Sequence, residues 1–379
     1  PREIAMRHDF ETHRRQAANI FRAWGMPAEK AEKSAGVLAW ADLHGLESHG
    51  IALLVEYNER RLTRPINFQS KPTIVQETPV SALLDGDGGL GHEPAISAME
   101  TAIAKATAAG VGVVSVRNSG HFGALGYFTT MATDHELIGI AATSVFGIRV
   151  PPTGGAAARF GTDPWSFAAP AEPGRPFVLD MATTTVASGK VRNKIVEGQL
   201  MPSGWGMDGK GVPTLDPKAV MEGGFLSPLG GAAESAGYKG YGLAAMVNIL
   251  ASCLSGSTLI TDPNHSKQPW SLDVGHFFMA INPALFRPIA DFRADVSRFC
   301  DDLRATPPVD PLKPVQVAGD PERRVRAERE KTGLPIGPGL HRRLYQIAQE
   351  SGAEWVLSPL DFTVDSFQFT DGRETRGKA

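Results

Sequence analysis

The hydrophobic periodicity of this chain changes near residue 73, and that change limits the folds open to it. Before it, apolar positions recur at helical spacing. Phe10, Ala17, Ile20, Phe21 and Trp24 share one face of a helix expected over 8–24, which Gly25 is placed to end. Pro27 opens a second helix running to about Leu43, and 51–62 reads as a third. Arg64-Pro65-Ile66-Asn67 and Lys71-Pro72 then break the pattern. Beyond it, short apolar runs alternate with helical stretches. Strands are expected over 80–84, 111–116, 137–143, 165–169, 177–179 and 277–281, and a helix over 94–109. Such a mixture indicates an α/β or α+β body.

Residues 203–228 are rich in Gly, Pro and Asp and read as a long surface excursion. Residues 240–261 carry no charge over about the length a bilayer requires. The stretch contains Asn248, Ser252, Ser255 and Ser257 and stands alone, so a buried core helix is expected. Pro307-Pro308 and Pro311 mark a second break, followed by charged helices over 321–331 and 339–349 and a polar, mobile tail.

A net charge of -3 with 21% charged residues leaves no basic stripe for nucleic acid or an anionic membrane. Cys253 and Cys300 make neither a disulfide framework nor a zinc site, and Pro1-Arg2-Glu3-Ile4 lacks the apolar stretch of a signal peptide. A reducing, cytoplasmic setting is expected.

Chemistry-bearing residues cluster in a few segments. The strand over 111–116 runs into Asn118-Ser119-Gly120-His121-Phe122-Gly123, and a helix begins near Ala124. A loop between strand and helix can present the His121 imidazole to a cleft, or the ring can serve as a local cap. Asp42-Leu43-His44-Gly45-Leu46-Glu47-Ser48-His49-Gly50 holds two histidines and two acids, but His44 and His49 are five apart, a poor spacing for zinc. Ser48 can instead orient His49 for proton transfer, or the segment can be a helix-terminal cap with a solvated histidine.

Gly86-Asp87-Gly88-Gly89-Leu90-Gly91 is a literal G-x-G-x-x-G. A dinucleotide site of that kind needs an acid ending the next strand. Here that strand ends in Arg117-Asn118, so the run reads as a glycine-rich turn. Thr162 stands in a turn signal, free either to bind a polar substrate or to close the turn. Asp180, after an apolar run, can receive ribose hydroxyls or cap a helix. Lys239 can meet a phosphate or neutralise a buried acid.

In this order the segments resemble the type 2 malate/L-lactate dehydrogenase family. The matching pieces are Ser48-His49-Gly50, Asp85-Gly86, Asn118 to Gly123, Gly161-Thr162-Asp163-Pro164, Asp180-Met181-Ala182-Thr183, Gly189-Lys190-Val191 and Lys239-Gly240-Tyr241-Gly242-Leu243. The resemblance implies an NAD(P)-dependent oxidoreductase moving a hydride between a nicotinamide cofactor and a small 2-hydroxy/2-oxo acid. It also implies an α+β, non-Rossmann fold. In it, 1–72 with 318–352 forms a helical domain, 73–317 forms a cofactor domain on a mostly antiparallel sheet, and 353–379 is an extension. Family members usually form homodimers.

Residue by residue, the resemblance makes His49, assisted by Ser48, the acid/base, with His121 as the other candidate. Thr162 and Ser144 would touch substrate. Phe122, Gly123, Ala124, Leu125, Gly126, Asp180, Met181, Ala182, Tyr238, Lys239, Gly319 and Asp320 match cofactor-contacting segments, and no metal is implied. The choice between NAD and NADP stays open, because the family does not use the Rossmann acid/arginine rule.

Two positions depart from the family pattern. Leu53 stands where members commonly carry an arginine for a substrate carboxylate, so Arg149 or Arg159 would have to replace it. Lys190 follows the hydroxy-acid branches rather than the imine-reductase branch. A cyclic-imine or diketo sugar acid reductase is therefore the runner-up. A non-catalytic binder on the same fold is the alternative of another class. Residues 232–236 look inserted before Lys239.

Overall fold

The computed structural model describes residues 5–63, 66–145, 147–262 and 273–359. A short strand β1 (Met6–His8) leads into α1 (Phe10–Ala23), α2 (Ala28–Leu43) and α3 (Leu53–Thr63). Asp9 caps α1 by accepting the Thr12 amide at 2.9 Å, and Gly25, at φ 92°, takes the left-handed conformation just beyond its end. Arg64 and Pro65, where the sequence breaks, lie outside the described residues, as do the first four residues.

Then follow β2 (Thr73–Glu77), β3 (Ser81–Gly89), α4 (His92–Ala109), β4 (Val111–Ser119), α5 (Leu125–Thr133), β5 (Ile138–Thr143), β6 (Trp165–Ala169) and β7 (Phe177–Met181). Next come α6 (Ser188–Val196), β8 (Gly206–Met207), β9 (Pro213–Thr214), α7 (Pro217–Met221), β10 (Phe225–Leu226) and α8 (Tyr238–Asn248). The described chain closes with β11 (Val274–Ile281), α9 (Ile289–Arg304), α10 (Asp320–Thr332), β12 (Leu334–Ile336) and α11 (Pro338–Ser351).

The main sheet runs β2-β3-β4-β11-β5-β6-β7. Among the described strands only β3 and β4 pair in parallel, with α4 as their crossover; the other neighbours are antiparallel. One apolar layer joins α4 and α5 to the sheet through Met99, Phe128, Val114, Val116 and Phe278. A second core unites both ends of the chain: Phe21, Leu38 and Tyr57 pack with Ile336, Leu344 and Leu357, and β1 pairs with β12.

Three expectations need correction. The glycine run does not follow the strand but is built into it. Residues 86–89 belong to β3, with left-handed Asp87 (φ 54°) and Gly88 (φ 63°) in an irregularity between Asp85 and Gly89, and Gly91 precedes α4. A Cβ on Gly91 would lie 2.0 Å from the Gly120 carbonyl oxygen, so glycine there lets the backbone pass against the loop carrying His121. Residues 203–228 are not a bare excursion. They form a three-stranded sheet, β10-β8-β9, over a small core of Val186, Val191, Met201, Val220 and Leu226.

The uncharged segment is not a buried helix. Its α-helix ends at Asn248 and continues as a π-helical turn, Ile249–Cys253. Small residues Ala244, Ala251 and Ser252 and Val247 face inward, while Met246, Ile249 and Leu254 face outward. Beyond α11 the chain stays docked as far as residue 359, and the polar tail expected at its end lies outside the described residues. Ala353 and Leu357 enter the helical core, and the Glu354 carbonyl accepts from Gln16 and Asn19. Residues 360–379 lie outside the described part. No described helix is long and apolar enough to cross a membrane.

Candidate active site

Strand register decides which loops meet. Ser119 pairs with Val274, Thr143 with His276, and Trp165 with both Ala142 and Met181. The exits of β4, β5 and β7 and the entries of β6 and β11 therefore share one edge of the sheet. His121, Ser144, Thr162, Asp180, Met181 and Ala182 are drawn together from segments far apart in sequence.

His276, buried in β11, stitches this edge. Its Nε2 lies 2.8 Å from Ser119 Oγ and its Nδ1 2.7 Å from Thr143 Oγ1. Burial pushes its imidazole down to about 3, so it bonds as a neutral ring. Nearby, Thr183 donates both its amide (2.9 Å) and its hydroxyl (3.0 Å) to the Thr162 carbonyl. Asp163, fully buried at φ 33°, accepts the Gly161 amide at 2.9 Å, and burial raises its carboxyl to about 7.

The helical core brings the second histidine to that edge. Asp42, at the end of α2, accepts the buried His13 Nε2 at 2.7 Å and the Ile51 amide at 2.6 Å. Arg329 of α10 bonds the Asp42 carbonyl and the Glu47 carboxylate. The 3-10 turn Glu47–His49 is thus pinned from both sides. Ser48 Oγ lies 2.9 Å from His49 Nδ1, and the His49 and His121 rings stack at 6.0 Å with planes 25° apart.

His121 Nδ1 lies 2.9 Å from the buried Tyr57 hydroxyl, which lies 3.5 Å from His92 Nε2. Burial lowers both His49 and His121; for His121 the neighbouring His49 and the Arg60 guanidinium lower it further. Both residues keep partial exposure.

From this pair the backbone leads into a cleft of about 640 Å³, lined among others by Trp40, His44, Gly126, Asp180, Gly319 and Arg326. Asp180 Oδ2 accepts the Gly126 amide at 2.7 Å, which places a carboxylate at the N-terminus of α5. Its side chain opens onto the cleft, yet the protein crowded around it raises its carboxyl to about 6. His44 stacks on Trp40 at 3.9 Å and bonds its carbonyl at 2.7 Å; burial lowers its imidazole to about 4.

Not every candidate reaches this cleft. Phe122 packs into the core against Phe128 and His276, leaving only its backbone to the loop with Gly123, Ala124 and Leu125. Ser144 Oγ exchanges hydrogen bonds with the Gly275 backbone. Asp320 is held by Arg304 and Arg323, which keep its carboxyl well below the usual range, while Gly319 lines the cleft. Tyr238 and Lys239 stand exposed at the start of α8, away from the cleft lining. The Arg149 backbone bridges to Phe160, and the exposed Arg159 turns to the neighbouring Ala158 carbonyl.

Sequence reasoning missed Asp42, Tyr57, His92, Arg60 and His276. Asp42 and Tyr57 carried a usable signal: the first lies in the histidine-rich segment, and the second is one turn beyond Leu53 on the same helix face. No group of three or more metal-ligating side chains converges among the described residues.

Comparison with known proteins gives this geometry a family. The model for malate/L-lactate dehydrogenase matches residues 8–345. The chain is 39% identical to the malate dehydrogenase of Pyrococcus abyssi over 331 residues, 87% of this chain and 91% of that protein. It is 34% identical over 343 residues to the L-sulfolactate dehydrogenase of Methanocaldococcus jannaschii, covering 90% and 96% of the two chains. The solved malate dehydrogenase of Pyrococcus horikoshii superposes with a TM-score of 0.84 at 33% identity, covering 92% and 97%. The chain belongs to the malate/L-lactate dehydrogenase family.

Proposed function

We propose that the protein is an NAD(P)-dependent dehydrogenase of small 2-hydroxy acids, with His49 as its acid/base. The observation that carries this reading is the stacked His49–His121 pair, with Gly126 of the cleft lining five residues beyond His121. Oxidising a secondary alcohol requires a base for the hydroxyl proton beside an acceptor for the hydride. His49, lowered by burial, is unprotonated at neutral pH and can take that proton; in reduction it returns it to the C2 oxygen.

The nicotinamide cofactor supplies the hydride acceptor when bound. The cleft suits such a group in size and lining. Gly126 leaves room that a Cβ would fill, since that atom would lie 3.2 Å from Asp180 Oδ2 and 3.3 Å from Trp40. Asp180 offers an acceptor for ribose hydroxyls, and Arg323 and Arg326 offer positive charge for phosphates. Met181, Ala182 and residues 122–125 adjoin the lining residues Asp180 and Gly126 in sequence, and in our reading they complete the cofactor site.

A substrate carboxylate needs a cation, and Leu53, buried in the helical core, cannot supply one. Arg60, two turns further along α3, is the guanidinium whose charge reaches His121, and it takes this role in our reading.

The same reading places the domain boundaries at 72–73 and 317–318, with 353–379 as an extension. It makes the molecule a cytoplasmic homodimer. Support for the dimer is the outward apolar row Met246, Ile249 and Leu254; support for the compartment is that Cys253 and Cys300 are both free. A panel of 2-hydroxy acids, a cyclic imine and a diketo sugar acid, each with NAD and NADP, tests the function. Turnover of a 2-hydroxy acid is expected, and turnover of the imine alone would replace this substrate class.

A further inference from the structure

We infer that Tyr57 and His92 are positioning residues that hold His121 in its Nε2–H tautomer, so that His121 donates a hydrogen bond to the substrate's C2 oxygen and leaves proton transfer to His49. This deepens the dehydrogenase reading and rests on it.

At the near end, the Gly123 amide lies 3.4 Å from His121 Nδ1. A backbone N–H can only donate, so this long contact biases the lone pair toward Nδ1 without fixing it alone. The Tyr57 hydroxyl at 2.9 Å then donates to the same nitrogen. Burial raises the Tyr57 phenol far above its ordinary range, which keeps that proton on oxygen.

At the far end, His92 is fully buried and its Nδ1 has no partner. Burial lowers its imidazole to about 3, so the ring is neutral with one N–H. Placing the proton on Nδ1 would bury an orphaned donor, whereas an orphaned lone pair is the milder defect. Nε2 therefore carries the proton and faces the Tyr57 oxygen at 3.5 Å. Both ends give the same sense: His92 Nε2–H toward Tyr57, and Tyr57 O–H to His121 Nδ1. The opposite edge of the His121 ring carries Nε2–H.

A neutral imidazole whose lone pair already accepts two donors is badly placed to take a substrate proton. It is well placed to polarise a carbonyl in reduction or to steady the oxygen in oxidation. In oxidation the C2–O–H proton goes to His49, the C2–H bonding pair leaves as hydride for the nicotinamide, and C2–O becomes C=O. The His121 Nε2 proton stays on nitrogen throughout.

The test is nitrogen NMR of histidine-labelled protein without substrate, with the His121 signals assigned by their loss in His121→Asn. The expected wild-type spectrum has a protonated Nε2 and an unprotonated Nδ1. Tyr57→Phe, which removes only a hydroxyl, should average the two nitrogens and lower kcat about tenfold, the scale of one directing hydrogen bond. His92→Phe should shift both readouts in the same sense by less. A protonated Nδ1 in the wild type overturns the inference, as does a Tyr57→Phe variant with unchanged tautomer and kcat. The expected tautomer in a protein that oxidises no hydroxy acid would instead overturn the dehydrogenase reading alone.

Discussion

Asp42 and Gly50 are interlocked: a Cβ on Gly50 would lie 1.9 Å from Asp42 Oδ1, while Asp42 Oδ2 holds the next amide, that of Ile51, at 2.6 Å. The residue after His49 must be glycine because a carboxylate occupies the side-chain space. Gly50→Ala should force the carboxylate and the His49 turn apart. A displacement of about 1 Å at a reacting group costs on the order of 10²-fold in rate. We expect kcat to fall by that order with a lowered Tm, checked by steady-state kinetics and thermal melting. Near-wild-type values of both would show that the loop absorbs the methyl group.

The pH dependence of stability follows from the buried histidines. His8, His44, His49, His92, His121, His276 and His341 are all held below their ordinary value, chiefly by burial. The folded chain keeps them neutral where the unfolded chain protonates them, so stability is complete above about pH 6.5 and is lost as pH falls below it. Asp163 and Asp180 act oppositely, since their raised carboxyls favour the fold as pH falls from about 7 toward 4. Seven groups outweigh two, so Tm should drop between pH 7 and pH 5. His276→Gln should reduce that slope; a flat Tm over this range would contradict the account.

The same shift locates the activity profile. Because burial lowers His49, the acid limb of kcat/KM for alcohol oxidation should fall below pH 6.5 rather than above it. A pH–rate series on the wild type measures this directly, and a limb at pH 7 or higher would remove His49 as the base.

Asp180 governs the start of α5. Replacing it with alanine leaves the Gly126 amide without its acceptor and removes charge from the cleft. Cofactor affinity should weaken by about tenfold to a hundredfold, the range for a hydrogen bond to a charged group. Fluorescence titration with reduced nicotinamide cofactor reads this, and unchanged affinity would take Asp180 out of the cofactor site.

Much of this was legible in the sequence, for a physical reason. Helix α1 carries strong 3.6-residue periodicity, and α1 and α2 both have clear end signals. The strands β4, β5 and β6 are runs rich in Val, Ile and Ala bounded by polar turns. What stayed hidden depends on contacts between distant segments. Tyr57 looked like one more apolar-face residue until the fold set it against His121, 64 positions later. His276 gave no motif because its partners, Ser119 and Thr143, come from two other strands. The glycine run has the spacing of a phosphate loop without the acid such a site needs after the next strand, and what its glycines do instead is set by distant segments: Gly89 and Gly91 allow close approaches to Ser70 and Gly120. The short strands β1 and β12 are held by each other across the whole length of the chain, with no period of their own.

The most direct test of the central claim is the rate of hydride transfer in wild type and in His49→Ala, with cofactor binding measured on both. The account predicts that wild type reduces NAD or NADP with a 2-hydroxy acid. His49→Ala should lose more than ~10²-fold in kcat while binding cofactor normally. Turnover by His49→Ala close to wild type, with cofactor bound, would contradict it.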